Sequence, residues 1–145
     1  MRTTHPYCRC LFYSANALAR STTRLAEEAF APAGLAPSAA YGLMAVLREP
    51  AIGPGRIAEI MMLDASTVTR LLERLEGKRL VRRRARGRAV SVVPTPAAEA
   101  LRTTLERCAK QAYERFGKLL GRQMSRLTAG VFEAAVVLEA ETGRR

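Results

Sequence analysis

Arginine dominates the part of this chain that could do chemistry. Between Ser66 and Val92 stand nine basic residues, Arg70, Arg74, Lys78, Arg79, Arg82, Arg83, Arg84, Arg86 and Arg88, against two acidic ones, Glu73 and Glu76. That stretch carries a surplus of seven positive charges in a chain whose formal net charge is +11. A field so concentrated draws a polyanion, releases its counterions, and loses grip steeply as salt rises. The guanidinium fork matches phosphate oxygens and guanine edges. The predominance of arginine over lysine therefore favours phosphate binding over a merely solvated basic surface.

Just ahead of and among these arginines lies Asp64-Ala-Ser-Thr-Val-Thr-Arg-Leu-Leu-Glu-Arg-Leu-Glu76. At 3.6 residues per turn, Val68, Leu71, Leu72 and Leu75 share one side, while Ser66, Thr69, Arg70, Glu73 and Arg74 project from the other. One face packs and the other meets a partner, as in a DNA-reading helix with a basic wing behind it. The short hydroxyls of Ser66 and Thr67 allow close approach of the helix N-terminus to phosphate.

The remaining reactive groups are sparse. Three cysteines cannot all pair within one chain, and a chain of 145 residues needs no disulfide staples, so the thiols are expected to be reduced at rest. Cys8 and Cys10 fall at the start of the first helix, flanked by Arg9 and near Arg2 and His5, a setting that favours thiolate. Residues two apart do not share a helix face, so a Cys8–Cys10 disulfide is strained unless that end is unwound. A bridge to Cys108, of the same chain or of a partner chain, is sterically easier. The plain alternative makes all three small apolar fillers. His5, Cys8, Cys10 and Cys108 would supply four ligands to a thiophilic ion, but their spacing is not that of a zinc finger. No metal and no cofactor is expected. With one histidine, no glycine-rich phosphate loop and no close acidic pair, catalysis is not expected either. A thiol-based redox enzyme could rest only on Cys8 or Cys10.

The elements that must hold these groups are mainly helical. Composition that is 48% hydrophobic suffices for the core of one domain, 1–145. A first helix runs from Cys8 to Phe30 and stops at Pro32-Ala-Gly34; a second spans Pro37 to Arg48, before Pro50, Gly53, Pro54 and Gly55 break the chain. A short third helix covers Arg56 to Met62, and Asp64 caps the fourth. Leu80 to Arg84 and Arg88 to Val93 read as two strands around Ala85-Arg86-Gly87, a small β-wing. Thr95 and Pro96 then open a long helix striped by Ala100, Leu101, Leu105, Cys108, Ala112, Phe116 and Leu119. Gly121 breaks it. A last helix from Ser125 to Glu141 carries Leu127, Val131, Ala134, Ala135 and Leu138.

The spacing thus predicts a helix-turn-helix lobe with a wing over 35–96 and further helices over 1–34 and 97–145. The apolar stripes of those terminal helices need a cover, most simply the same helices of a second copy. No apolar run approaches the roughly 20 residues that span a bilayer. Arg9 and Asn16 interrupt any signal-peptide core within Met1 to Ala19, so the chain reads as a cytoplasmic protein without a membrane partner.

The run from Leu35 to Ala98 resembles the multiple antibiotic resistance regulator (MarR) family of bacterial transcription factors. The likeness is carried by Leu35-Ala-Pro-Ser38, Ile57-Ala58, Ser66-Thr-Val-Thr-Arg70, Leu80-Val-Arg82 and Val92-Val-Pro-Thr-Pro96. The resemblance implies a homodimeric winged helix-turn-helix protein, probing double-stranded DNA at a pseudo-palindrome and repressing transcription. It assigns base and phosphate contacts to Ser66, Thr67, Thr69, Arg70 and Arg74 and a wing contact to Arg88, with Arg83, Arg84 and Arg86 completing the basic grip. Two-fold symmetry sets the half-sites about 10 base pairs apart. A non-specific architectural protein would use the same arginines without the hydroxyl face.

Two departures concern the wing. The family's Asp-x-Arg is replaced by Arg86-Gly87-Arg88 in a shorter loop, and Arg79 stands where a glycine usually precedes the first wing strand, with Gly77 two residues earlier. The helix end is therefore expected to re-register around Gly77. The family also implies control by a small aromatic effector or by thiol oxidation. Candidate walls for an effector are Phe12, Tyr13, Tyr41, Met44 and Met61, whose plain alternative is core packing; Tyr113 and Phe116 are expected in a dimer core.

Overall fold

Proline opens three of the helices, because its fixed φ suits the first turn and its missing N–H costs nothing there. The computed structural model describes residues 5–143. In chain order these form α1 (Leu11–Phe30), α2 (Pro37–Arg48), α3 (Pro54–Met61), α4 (Ala65–Gly77), β1 (Val81–Arg86), β2 (Ala89–Pro94), α5 (Pro96–Leu120) and α6 (Met124–Thr142). Single 3-10 turns at Ala31–Ala33 and Gly121–Gln123 link α1 to α2 and α5 to α6. The mainly helical fold with one antiparallel β-hairpin agrees with the expectation.

Three boundaries differ. Pro54, taken from sequence as a breaker, is the first residue of α3 and follows an extended Gly53. Helix α1 begins at Leu11 and not at Cys8, since Cys10 is extended (φ −91°, ψ 115°) and no side chain caps the helix. The hairpin turn lies at Gly87-Arg88 and not at Ala85-Arg86-Gly87, with Arg86 paired to Ala89. A two-residue loop with Gly87 at φ 59° satisfies hairpin twist, which lets the strands run further towards the tip.

The core sits where α2, α3, α4, the wing base and α5 converge. Leu43, Val46, Ile57, Val68, Leu72, Leu75, Val81, Val92, Leu105 and Cys108 are all buried there, together with Phe30 from the end of α1. Helices α2 and α4 meet closely at Gly42, where an added Cβ would come within 2.7 Å of Leu71 Cδ2. Along α5 the buried ladder is Ala98, Leu105, Cys108 and Ala112, with Leu101 and Phe116 packed at its margin. Two residues expected in that stripe are exposed: Ala100 lies off the helical ladder, and Leu119 lies past the last core contact.

The wing does not stand on its own strands alone. Ile52, in the stretch read from sequence as a plain turn, bridges Val92 and accepts its N–H at 2.8 Å. Arg102 ties α5 to the end of α2 by donating to the Leu47 carbonyl at 3.1 Å while pairing with Glu99, and Arg115 pairs with Glu28 to join α5 to α1. Helix α6 buries no residue in the chain. Its Leu127, Val131, Ala134, Ala135 and Leu138 face Leu11, Ala15, Leu18 and Thr22 of α1 across an open apolar groove of about 560 Å³. Among the described residues no single helix is long and apolar enough to cross a membrane.

Candidate nucleic-acid interface

Helix α4 divides as its spacing predicts: Val68, Leu71, Leu72 and Leu75 are buried, while Ser66, Thr69, Arg70, Glu73 and Arg74 are exposed. Its N-terminus is held by Asp64. One carboxylate oxygen accepts the Thr67 N–H at 2.8 Å and the Ser66 hydroxyl at 2.6 Å; the other accepts the Thr67 hydroxyl at 2.7 Å. These bonds, from the Ser66 hydroxyl first, then the Thr67 hydroxyl and its N–H, hold the Asp64 carboxyl well below the usual carboxylate range.

These bonds decide what the two hydroxyls can offer a partner. A hydroxyl has one hydrogen to give, and those of Ser66 and Thr67 go to Asp64, which leaves the two oxygens as acceptors. Thr69 likewise donates to the Ala65 carbonyl at 2.9 Å. Donation from this face falls to Arg70 and Arg74, one turn apart.

The wing supplies the other half. In β1 the side chains alternate, so Val81 and Arg83, opposite Pro94 and the buried Val92, share one face, and Arg82, Arg84 and Arg86 take the opposite one. Arg83 therefore does not join the outward row expected of it. Its guanidinium bonds the Glu76 carboxylate of α4 at 2.8 Å and its N–H reaches the same group at 3.2 Å. The bond holds Glu76 below, and Arg83 above, their ordinary ranges. Among the described residues no carboxylate lies within ion-pairing distance of Arg70, Arg74, Arg82, Arg84, Arg86 or Arg88. Arg82, absent from the sequence-based set, shares the exposed face of Arg84 and Arg86; period-two alternation counted from Val81 would have found it and excluded Arg83.

The corner between helix and wing is built on Arg79. It takes the left-handed conformation, φ 59°, while Gly77 stays inside α4, so the expected re-registration around Gly77 does not occur. Arg79 N–H donates to the Glu76 carbonyl at 2.8 Å and Leu80 N–H to that of Leu75 at 2.9 Å, the paired bonds that end a helix at a left-handed residue.

The cysteines separate. Cys8 lies in a turn, its N–H bonded to the His5 carbonyl at 3.1 Å, and both Cys8 and Cys10 are exposed. Cys108 is fully enclosed by the core of its own chain, which removes the expected bridge to it. His5 meets Tyr13 instead, Nε2 to Oη 3.2 Å, and the Tyr7 ring lies tilted against the same ring. Among the described residues no three His, Cys, Asp or Glu side chains gather as a metal site, so the set of His5, Cys8, Cys10 and Cys108 is not assembled. Arg2 lies outside the described residues.

The candidate effector walls disperse as well. Tyr41 packs edge-on against Phe30, and Tyr13 is 17 residues before Phe30 on α1, about 25 Å away at the helical rise. Met44 and Met61 pack on the core, Phe12 is 78% exposed and Tyr113 is exposed, while Phe116 packs on the core of its own chain.

The MarR family model matches residues 33–89. The fold is similar over nearly the whole chain to the M. tuberculosis transcriptional regulator MosR, at 20% identity and a TM-score of 0.76, covering 90% of this chain and 98% of that one. It is also similar to S. aureus MepR in a complex with DNA, at 15% identity and 0.75, covering 88% and 97%. A third likeness is to the transcriptional repressor CouR bound to a 23-mer DNA duplex, at 19% identity and 0.74, covering 88% and 93%. No curated protein matches the chain. A sequence match over α2, α3, α4 and the start of the wing makes residues 33–89 similar to the MarR family, and the likeness to these solved structures shows a winged helix-turn-helix fold whose lobe buries one face of α4 and bares the other.

Proposed function

We propose that the chain acts as a homodimeric repressor whose two α4 helices enter successive major grooves of a pseudo-palindromic operator, and that oxidation of Cys8 and Cys10 relieves it. The observation that carries this reading is the division of α4, which buries four apolar residues and leaves Thr69, Arg70 and Arg74 exposed ahead of a wing whose Arg82, Arg84, Arg86 and Arg88 are exposed. In this reading Arg70 and Arg74 reach base edges or phosphates, Ser66 and Thr67 accept from base amino groups, and the wing arginines grip the backbone. The solved MepR and CouR complexes with DNA support the same use of the fold.

Dimerisation is supported by the uncovered apolar sides of α1 and α6. Leu11, Leu127, Val131 and Leu138 are all exposed in the single chain, a costly state that a second copy of the same helices would end. The domain reading follows: 35–96 contacts DNA, and 1–34 with 97–145 joins the two copies.

The thiol reading gains from the start of α1. Because Cys8 is in a turn and Cys10 is extended, the strain of an i, i+2 disulfide within a helix does not arise. A peroxide would accept two electrons from the two thiols, giving one sulfur–sulfur bond and, with their two protons, two waters. The test is binding of the purified protein to its own promoter fragment, before and after peroxide and again after a thiol reductant, alongside its mass in solution. Two-chain mass and reversible loss of binding that vanishes in Cys8→Ser are expected. A one-chain mass, or loss that persists in Cys8→Ser, contradicts the reading.

A further inference from the structure

A two-stranded ribbon is marginally stable by itself, so the direction of this wing is set by what holds its base. One strand is held through β2 by the Ile52 bridge. The other is held through β1, where Arg83 meets Glu76 in the last turn of α4. The contact is doubled, guanidinium to one carboxylate oxygen and backbone N–H to the other. Both side chains remain about a third exposed, at 32% and 33%, and among the described residues this is the one ion pair that joins the wing to α4.

We propose that Glu76 and Arg83 are positioning residues for DNA recognition, fixing the angle between the wing and the reading helix without touching a base. A carboxylate that binds a side chain and a backbone N–H of one strand residue restrains both sliding and rotation of β1 against α4. From Arg83 to Gly87 the strand extends about 13 Å, so a swing of about 20° carries the tip through about 4 Å, more than a hydrogen bond tolerates. A specific site requires helix and wing contacts at once, while phosphate contacts to random DNA adapt to a displaced wing. Glu76 therefore raises specificity although its charge opposes the polyanion, the reverse of what net charge alone dictates.

The full chain is tested for binding to a site selected from a random pool and to random DNA, as wild type, Glu76→Gln, Arg83→Gln, and the exchanged pair Glu76→Arg with Arg83→Glu. Glu76→Gln is expected to lower the ratio of selected-site to random affinity by about tenfold while holding random DNA at least as tightly. Arg83→Gln lowers the ratio similarly, and the exchanged pair, which restores the ion pair but not the backbone N–H bond, recovers it in part, by about threefold over either single variant. Tighter binding of Glu76→Gln to both DNAs at an unchanged ratio overturns the proposal. So does equal weakening on both DNAs in Arg83→Gln without recovery by exchange, which makes Arg83 an ordinary phosphate contact.

Discussion

The Thr95 hydroxyl donates to the Arg79 carbonyl across 2.7 Å, and that bond joins the start of α5 to the corner where α4 ends. The same oxygen accepts the Ala98 N–H at 3.3 Å, and the Thr95 N–H reaches the Leu80 carbonyl at 3.0 Å. Thr95 is buried, so water cannot replace these partners. Thr95→Val should cost about 2 kcal/mol by leaving a cap N–H and a carbonyl unsatisfied, while Thr95→Ser keeps most of the stability. Denaturant unfolding checks this; equal stability of wild type and Thr95→Val contradicts it.

Glycine and arginine are misplaced by two residues at the same corner. Arg79 carries a left-handed φ that glycine adopts freely, and Gly77 occupies a helical position with open space around its missing Cβ. Arg79→Gly and Gly77→Ala should each stabilise the fold by about 0.5–1 kcal/mol. Thermal unfolding of the two single variants measures it, and destabilisation by both means that the corner is built differently.

Acid should weaken the cap of α4. Asp64 and Glu76 are both depressed below their ordinary values. A depressed carboxylate contributes stability that is fully present above its unfolded pKa, about 4, and is lost as pH falls through its lower folded value. Wild type should therefore melt above Asp64→Asn at pH 7, and the gap should narrow progressively as pH falls below about 4. A gap independent of pH would assign it to something other than the Asp64 charge.

Arg70 and Arg84 should fail differently. Arg70→Ala is expected to relax base preference, whereas Arg84→Ala weakens binding to all sequences and reduces its salt dependence by about one counterion. Equal loss of preference in both variants removes this division of labour.

What the sequence discloses is what local chemistry decides. Pro37 and the break after Arg48 bound α2, the 3.6-residue spacing sorts the faces of α4, and Thr95 with Pro96 opens α5. Less legible features depend on partners far along the chain or on register. Arg83 turns towards Glu76 of α4 because of where β1 pairs, and a one-residue shift would have sent it to the opposite face. Cys108 is lost to any sensor because α5 lays it fully buried in the core. Helix α1 begins later than its apolar spacing suggests, since spacing continues through Cys8 and Cys10 but no cap holds them in the helix.

The central claim is that α4 and the wing read sequence. Selection of bound sites from a random DNA pool by the purified chain, followed by competition against random DNA across a salt series, tests it most directly. The account predicts a two-fold symmetric site with half-sites about 10 base pairs apart, held roughly a thousandfold more tightly than random DNA. A chain that binds all DNA alike, with strong salt dependence and no enriched site, would be an architectural protein and would contradict it.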